Sequence, residues 1–323
     1  MTMIGDSPAF RELIGLIEKM ASCDAPVLIE GETGTGKELA ARALHYQGKR
    51  HGKPFIPVNC GAIPDALFEN EIFGHKKGAF TDAKENQPGF VALADSGTLF
   101  LDEVETLTSK VQVALLRFMQ DQQYRPLGGG RELNANVRII TASNADLTRL
   151  VDRGEFRKDL FFRLKILYLE LPPLRERKGD PRLLAEHFVR LYCAQSGQPV
   201  KTIHSDTLAW FESYSWPGNI RELENLIYRE FLLSEGPEIH IKPWVQRQTE
   251  RRKLTDRRRF LRNGHDFNRA KAKVIEDFEK RFLMSILTEA HGNISHAAKL
   301  AHKERSALGK LLKKHGIDKN QYH

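Results

Sequence analysis

The stretch Val27-Leu28-Ile29-Glu30-Gly31-Glu32-Thr33-Gly34-Thr35-Gly36-Lys37, followed by Glu38-Leu39-Ala40-Ala41-Arg42-Ala43-Leu44-His45-Tyr46, decides the fold. Three apolar residues run into a loop with glycine at 31, 34 and 36, and a run of helix formers follows. Strand, glycine loop and helix in that order make a phosphate-binding P-loop. Backbone N–H groups and the helix N-terminus cradle phosphates, and Lys37 pairs with the outer ones. The generic pattern has Ser or Thr after the lysine to touch Mg2+. Glu38 stands there instead, so the metal must lean on another residue.

Gly97-Thr98-Leu99-Phe100-Leu101-Asp102-Glu103 supplies it, an apolar run ending in two adjacent carboxylates. Such a strand end delivers Asp102 to the metal and Glu103 to the attacking water as general base. The cofactors expected are therefore ATP and Mg2+.

From these motifs the organisation extends both ways. Phe10, Leu13, Ile14, Ile17 and Met20 are spaced three and four apart, which predicts a first helix. Strands are predicted at residues 27–29, 55–58, 99–101, 137–141 and 166–169, with helices between them. That alternation predicts an α/β domain with a doubly wound parallel sheet over residues 1–171. Pro172-Pro173 breaks the pattern, and residues 181–233 read as helix throughout, which predicts an all-helical lid over 172–245. Residues 246–269 carry many like charges and few apolar residues, the composition of a linker. The segment 270–323 reads as a helical domain. Ile275, Phe278, Phe282 and Ile286 form one apolar stripe, read as a dimerisation face. A short helix from Ser295 and a second over 304–315, joined through Ala301-His302-Lys303, fit a helix-turn-helix.

Charge separates the two ends of the chain. Residues 246–323 hold 20 Lys and Arg against 9 Asp and Glu, and the rest holds 30 against 33. A basic block on a near-neutral body points to a polyanion-binding appendage. The three cysteines, Cys23, Cys60 and Cys193, lie far apart with no CxxC or Cys/His spacing, so neither a disulfide framework nor a zinc motif is suggested. The N-terminus has no signal-type apolar run, and no stretch is long and apolar enough to span a membrane. The expectation is a cytoplasmic protein without a membrane partner.

GETGTGKE, FIPVNCGAIPDALFENEIFGHKKGAFTDA, SGTLFLDEVETL, VRIITASNADL, FRKDLFFRL, LPPLRER and WPGNIRELEN appear in this order across roughly residues 4 to 245. Together they resemble the AAA+ domain of the bacterial enhancer-binding proteins that activate sigma-54 RNA polymerase. The resemblance makes Gly31, Glu32, Thr33, Gly34, Thr35, Gly36, Lys37 and Glu38 the nucleotide loop, Glu38 being usual at its position there. It makes Asn59 a switch residue acting on Glu103, Asn144 a sensor of the γ-phosphate, and Arg221 a second sensor on the lid. Arg157 and Arg163 are similar to arginine fingers that reach a neighbouring subunit's site, where a guanidinium stabilises charge on the transferred phosphoryl. Fingers acting in trans imply a homo-oligomer, and the family assembles hexamers. The C-terminal segment resembles a Fis-type DNA-binding domain, with Arg305, Ser306 and Lys310 as base or phosphate contacts and Lys313 and Lys314 on phosphates of double-stranded enhancer DNA.

Gly78-Ala79-Phe80-Thr81-Asp82-Ala83 matches five of six residues of the GAFTGA loop with which that family contacts sigma-54, Asp82 standing where the second glycine is commonest. Phe80 and Thr81 would be the contact pair. Two other readings remain at this point. The ATPase domain could govern only the oligomerisation of a DNA-binding regulator, or the ring could remodel some other protein. Only a few residues precede the ATPase domain, so regulation is expected from a partner protein in trans, from expression level or from nucleotide supply.

Overall fold

A computed structural model describes residues 3–81, 83–234, 236–241, 282–283, 286–288, 290, 293–301 and 305–315. The linker at 246–269, Ile275, Phe278, His302 and Lys303 lie outside the described residues, as does Asp82. The chain divides into two compact units, residues 1–242 and 243–323.

Five parallel strands organise the first unit: β1 (Val27–Glu30), β2 (Phe55–Asn59), β3 (Thr98–Asp102), β4 (Arg138–Ser143) and β5 (Leu167–Glu170), in spatial order β2-β3-β4-β1-β5. All five expected strands are present, with ends within one or two residues of those read from sequence. β1, β3 and β4 are buried almost along their whole lengths, as strands covered on both faces must be. Successive side chains go to opposite faces. Val27, Ile29, Phe100, Ile140, Ala142 and Leu169 pack with residues of α1 (Pro8–Ala21) and α2 (Lys37–Tyr46). Leu28, Val58, Leu99, Leu101 and Ile139 pack on the other face, against α3 (Asp65–Phe73), α4 (Ser109–Asp121) and α5 (Lys158–Leu164). The sheet is doubly wound, as its sequence pattern implies.

The start of α1 follows from its own residues. Ser7 caps it by accepting the Phe10 N–H at 3.3 Å, Pro8 takes a first-turn position that needs no N–H donor, and Phe10, Leu13 and Ile17 face the core.

The expected helical lid is present, with breaks between its helices and one short ladder that the sequence reading did not include. Residues 181–233 are not one helical run but α6 (Asp180–Ser196), α7 (Ser205–Ser213) and α8 (Asn219–Leu233), with a short parallel pair, Thr202–Ile203 on Glu238–Ile239, closing the bundle. Gly197 ends α6 in a left-handed conformation at φ 65°, and Pro199 then denies the helix a donor. Leu184, Phe188, Phe211, Trp216, Leu223 and Ile227 form the lid's own core. The fully buried Trp216 donates its indole N–H to Phe211 O at 2.9 Å.

In the second unit, α9 (Ile294–Leu300) and α10 (Arg305–Lys314) pack through Ala297, Ala298, Leu308 and Leu312 onto Leu283, Ile286, Leu287 and Ala290. Ile286 is 6% exposed, so it serves this core and not the outward dimerisation stripe read from sequence. Phe282 remains 40% exposed.

Candidate active site

The strand order puts the C-terminal ends of neighbouring strands side by side, where ligands of open parallel sheets bind. Asn59 at the end of β2 is in register with Asp102 at the end of β3. Asn144 follows β4, and the P-loop follows β1. Residues up to 187 positions apart in sequence thus meet over a few ångströms.

Gly36 takes φ 98° just before α2 and Gly34 takes φ 83°, conformations that leave the loop's amides lining a concave turn. Lys37 is 6% exposed, and its ammonium donates to Gly31 O at 2.8 Å, Glu32 O at 3.1 Å and Asn144 Oδ1. Burial pulls its pKa below the usual lysine value, opposed by Asp102 and Glu105 and helped by Arg221. Glu38 turns away from this cluster into an i,i+4 ion pair with Arg42 at 2.7 Å.

Asp102 is half-buried. Its Oδ1 accepts the Glu103 N–H at 3.0 Å. Burial raises its pKa above the ordinary carboxylate value, an effect that the Glu103 N–H and Lys37 oppose. A carboxylate short of counter-charge fits a bound cation, so the residues present suit a divalent ion at this strand end. Glu103 takes the left-handed conformation, φ 58° and ψ 45°, uncommon for a side chain of its size. Gly61 makes room for it: a Cβ there would lie 2.6 Å from Glu103 Oε2 and 3.4 Å from Asn59 Oδ1. Asn59 accepts the Ala62 N–H at 3.1 Å, so Asn59 and Glu103 flank the same glycine.

The lid closes directly on the P-loop. A Cβ on Gly34 would meet Gly218 O at 2.3 Å and Arg221 Cβ at 3.2 Å, and Ile220 donates its N–H to Gly34 O at 3.0 Å. Asn219 donates to Glu32 Oε2 and to Thr33 O at 3.1 Å each, and accepts the Leu174 N–H at 2.8 Å. Arg175 grips Glu32 with two bonds of 2.7 and 2.9 Å, which, ahead of Asn219, hold the Glu32 carboxyl below its usual pKa. Arg221 therefore stands on the first turn of α8, beside the nucleotide loop.

Arg157 and Arg163 face elsewhere. Arg157 is exposed and pairs with Asp159 at 2.6 Å, and Arg163 donates to Met119 O at 3.2 Å. Among the described residues neither bonds to its own P-loop.

The backbone at Gly78–Phe80 and Ala83 turns back on itself. Gly78, at φ 83°, donates its N–H to Ala83 O at 2.8 Å, and the Ala83 N–H returns to Phe80 O at 3.0 Å. Phe80 is 45% exposed, its ring 4.9 Å from that of His75. The turn stands on an antiparallel pair, Gly74–His75 with Gln87–Pro88. It is also tied to a second hairpin, Gln123–Tyr124 with Leu133–Asn134. The Lys76 N–H bonds Leu127 O at 2.9 Å, and a Cβ on Gly128 would strike Ala79 Cβ at 2.8 Å. Gly128-Gly129-Gly130 was the sequence signal for this support, and sequence reasoning did not use it.

Sequence reasoning also missed Glu105. Its Oε1 accepts the Asn144 backbone N–H at 3.1 Å, and its Oε2 is buried without a hydrogen-bond partner. It is a third acid acting on Lys37 and Asp102. The side chains of Arg305, Ser306, Lys310, Lys313 and Lys314 lie outside what is described, and only the helix that carries them is seen.

The sequence matches the model of the family described as the sigma-54 interaction domain over residues 3–170. The chain belongs to the sigma-54 interaction family. It is an AAA+ ATPase and a sigma-54-dependent transcriptional activator, and residues 175–258 match the AAA+ ATPase lid domain. The response regulator protein PilR of Pseudomonas aeruginosa is 41% identical over 320 residues, covering 98% of this chain and 70% of PilR. The transcriptional regulatory protein GlrR of Escherichia coli is 39% identical over 98% of this chain and 68% of GlrR. Among solved structures, NtrX of Brucella abortus in complex with ATP superposes with a TM-score of 0.73 at 31% identity, over 98% of this chain and 70% of NtrX. Among the described residues no helix is long and apolar enough to cross a membrane.

Proposed function

We propose that this activator works in the cytoplasm as a hexameric ring that binds enhancer DNA and uses ATP hydrolysis to drive the sigma-54 polymerase from closed to open complex. The observation that carries the reading is the convergence of Lys37, Asn144, Asp102 and Glu103 at neighbouring strand ends, under a lid that touches the P-loop. Lys37 and the loop amides hold the phosphates, and Asp102 holds Mg2+. When bound, that ion neutralises charge on the β- and γ-phosphates. Glu103 takes a proton from the attacking water, and Asn59, across Gly61 from it, controls its pose. Asn144 reports the γ-phosphate to β4. Arg157 and Arg163, turned away from their own P-loop, act on the neighbouring subunit's nucleotide.

The turn at Gly78–Ala83 presents Phe80 and Thr81 to sigma-54, and residues 1–171, 172–245, 246–269 and 270–323 act as motor, lid, linker and DNA-binding domain. Helices α9 and α10 bind DNA as a helix-turn-helix with α10 entering the major groove, and Arg305, Ser306, Lys310, Lys313 and Lys314 are the contacts.

The test pairs two variants with in vitro transcription from a sigma-54 promoter. Glu103→Gln should cut ATP turnover by about 10²–10⁴-fold and spare ATP binding. Thr81→Ala should spare turnover and abolish open-complex formation. Unchanged turnover in the first would overturn the general base. Full transcription by the second would overturn Thr81 as the contact with sigma-54.

A further inference from the structure

At the far end of the lid, away from the P-loop contact, a second group of chemically capable side chains comes together. Ile203 and Ile239 are paired in the short parallel ladder, and the His204 N–H extends it by bonding Ile239 O at 3.0 Å. His204 and His240 therefore follow paired positions on adjacent segments, and their imidazole rings lie face to face, centroids 4.3 Å apart and planes at 28°. His204 is also the N-cap of α7. Its Nδ1 accepts the Asp206 N–H at 3.2 Å, and the Asp206 carboxylate stands 3.7 Å from the same nitrogen. One ligand atom from each of His204, Asp206 and His240 can be chosen so that all lie within 4.8 Å of one another.

Two imidazoles stacked beside a carboxylate are not explained by packing. Asp206 and His240 are exposed, His204 is partly so, and among the described residues the His240 ring makes no hydrogen bond. We propose that His204, Asp206 and His240 form a binding site for a divalent transition-metal ion of the zinc class.

Donor chemistry selects the ion. Two imidazole nitrogens and one carboxylate suit Zn2+, Co2+, Ni2+ or Cu2+, whereas Mg2+ and Ca2+ require oxygen ligands. Zinc bonds of about 2.0–2.2 Å put tetrahedral ligand atoms about 3.3 Å apart. The gap from 4.8 Å closes by side-chain rotation at the exposed Asp206 and His240, while the ladder and the helix cap fix His204. Three protein ligands leave a fourth position to water. The sequence gives no warning of this site, because a 35-residue interval between the histidines matches no zinc-motif spacing. Its effect would be mechanical. The bound ion ties residues 238–240 to the first turn of α7.

The experiment titrates the full chain, without nucleotide, with ZnCl2 by calorimetry and with CoCl2 by visible absorption. His240→Ala removes one ligand at an exposed position. His204→Asn removes another while keeping a side chain that caps helices well. The parent should bind one Zn2+ per chain more tightly than about 10 μM, a three-ligand, water-open site being far weaker than structural zinc, and should give intense Co2+ bands. Each variant should lose at least about tenfold in affinity, which is 1.4 kcal/mol, with circular dichroism and basal ATP turnover unchanged. Equal zinc binding by the parent and both variants, or no binding by the parent below about 100 μM, overturns the proposal.

Discussion

Replacing Glu105 separates a hydrogen bond from a charge inside the nucleotide site. Its Oε1 holds the Asn144 N–H at 3.1 Å, while the same asparagine's side chain accepts from Lys37. Its other oxygen is buried and unpartnered, which is costly unless the first contact repays it. A hydrogen bond to a charged group contributes about 1.5–3 kcal/mol, and the low end applies here because water can reach the exposed Asn144. Glu105→Ala should therefore lower kcat about tenfold, the equivalent of 1.4 kcal/mol. Glu105→Gln keeps an acceptor for Asn144 and removes the charge. If the contact positions Asn144, the glutamine variant should recover to within about threefold of the parent. Steady-state turnover, read beside the Kd of a fluorescent ATP analogue, distinguishes the cases. An alanine variant within about twofold of the parent in kcat refutes the reasoning, and a glutamine variant as slow as alanine shows that charge rather than position matters.

Gly34→Ala should abolish lid closure, because its Cβ would sit 2.3 Å from Gly218 O at a φ of 83°. ATP affinity measured by fluorescence should fall at least about tenfold, and parental affinity would contradict the close approach. Asp180→Asn should cost about 3–5 kcal/mol, because it strands Arg177 in a pair that is 3% and 1% exposed. Burial would raise the Asp180 pKa, but the Asp6 N–H, Arg177 and Ser7 outweigh it and hold the carboxyl below its usual value. Its stabilisation is therefore present above the ordinary aspartate pKa and is lost as pH falls through the lower folded value. Denaturant melts of the parent and the variant should converge at acid pH. Burial, then Asp102 and Glu105, push the Cys60 thiol up to about 12. Maleimide at pH 8 should modify Cys23 well before Cys60, as mass mapping would show. Gly309→Ala should stabilise the C-terminal unit by about 0.5–1 kcal/mol, since a Cβ there meets nothing within 4 Å. Slower amide exchange in α10 would register it.

What the sequence determined by itself was local. An apolar run before Gly31 reads as a strand entering a phosphate loop, and β3 announces itself by the apolar run Leu99-Phe100-Leu101. Catalytic candidates were legible where they adjoin such runs, as Asp102 and Glu103 do. The readings that failed were those in which neighbours compete. Residues 181–233 have helical composition throughout, yet Gly197 and a ladder to residues 238–239 interrupt them. Ile286 has the period of an outer stripe, yet α9 and α10 cover it.

Only tertiary structure decided which distant side chains meet. The Lys37 contact with Asn144 spans 107 positions, the Asn219 contact with Glu32 spans 187, and the clasp of Ser7 on Asp180 spans 173. Glu105, His204 and His240 carry no local signature, because their roles depend on strand order and ladder register. Periodicity fixes which face of an element is apolar. The partner that face finds is settled by packing all the elements at once.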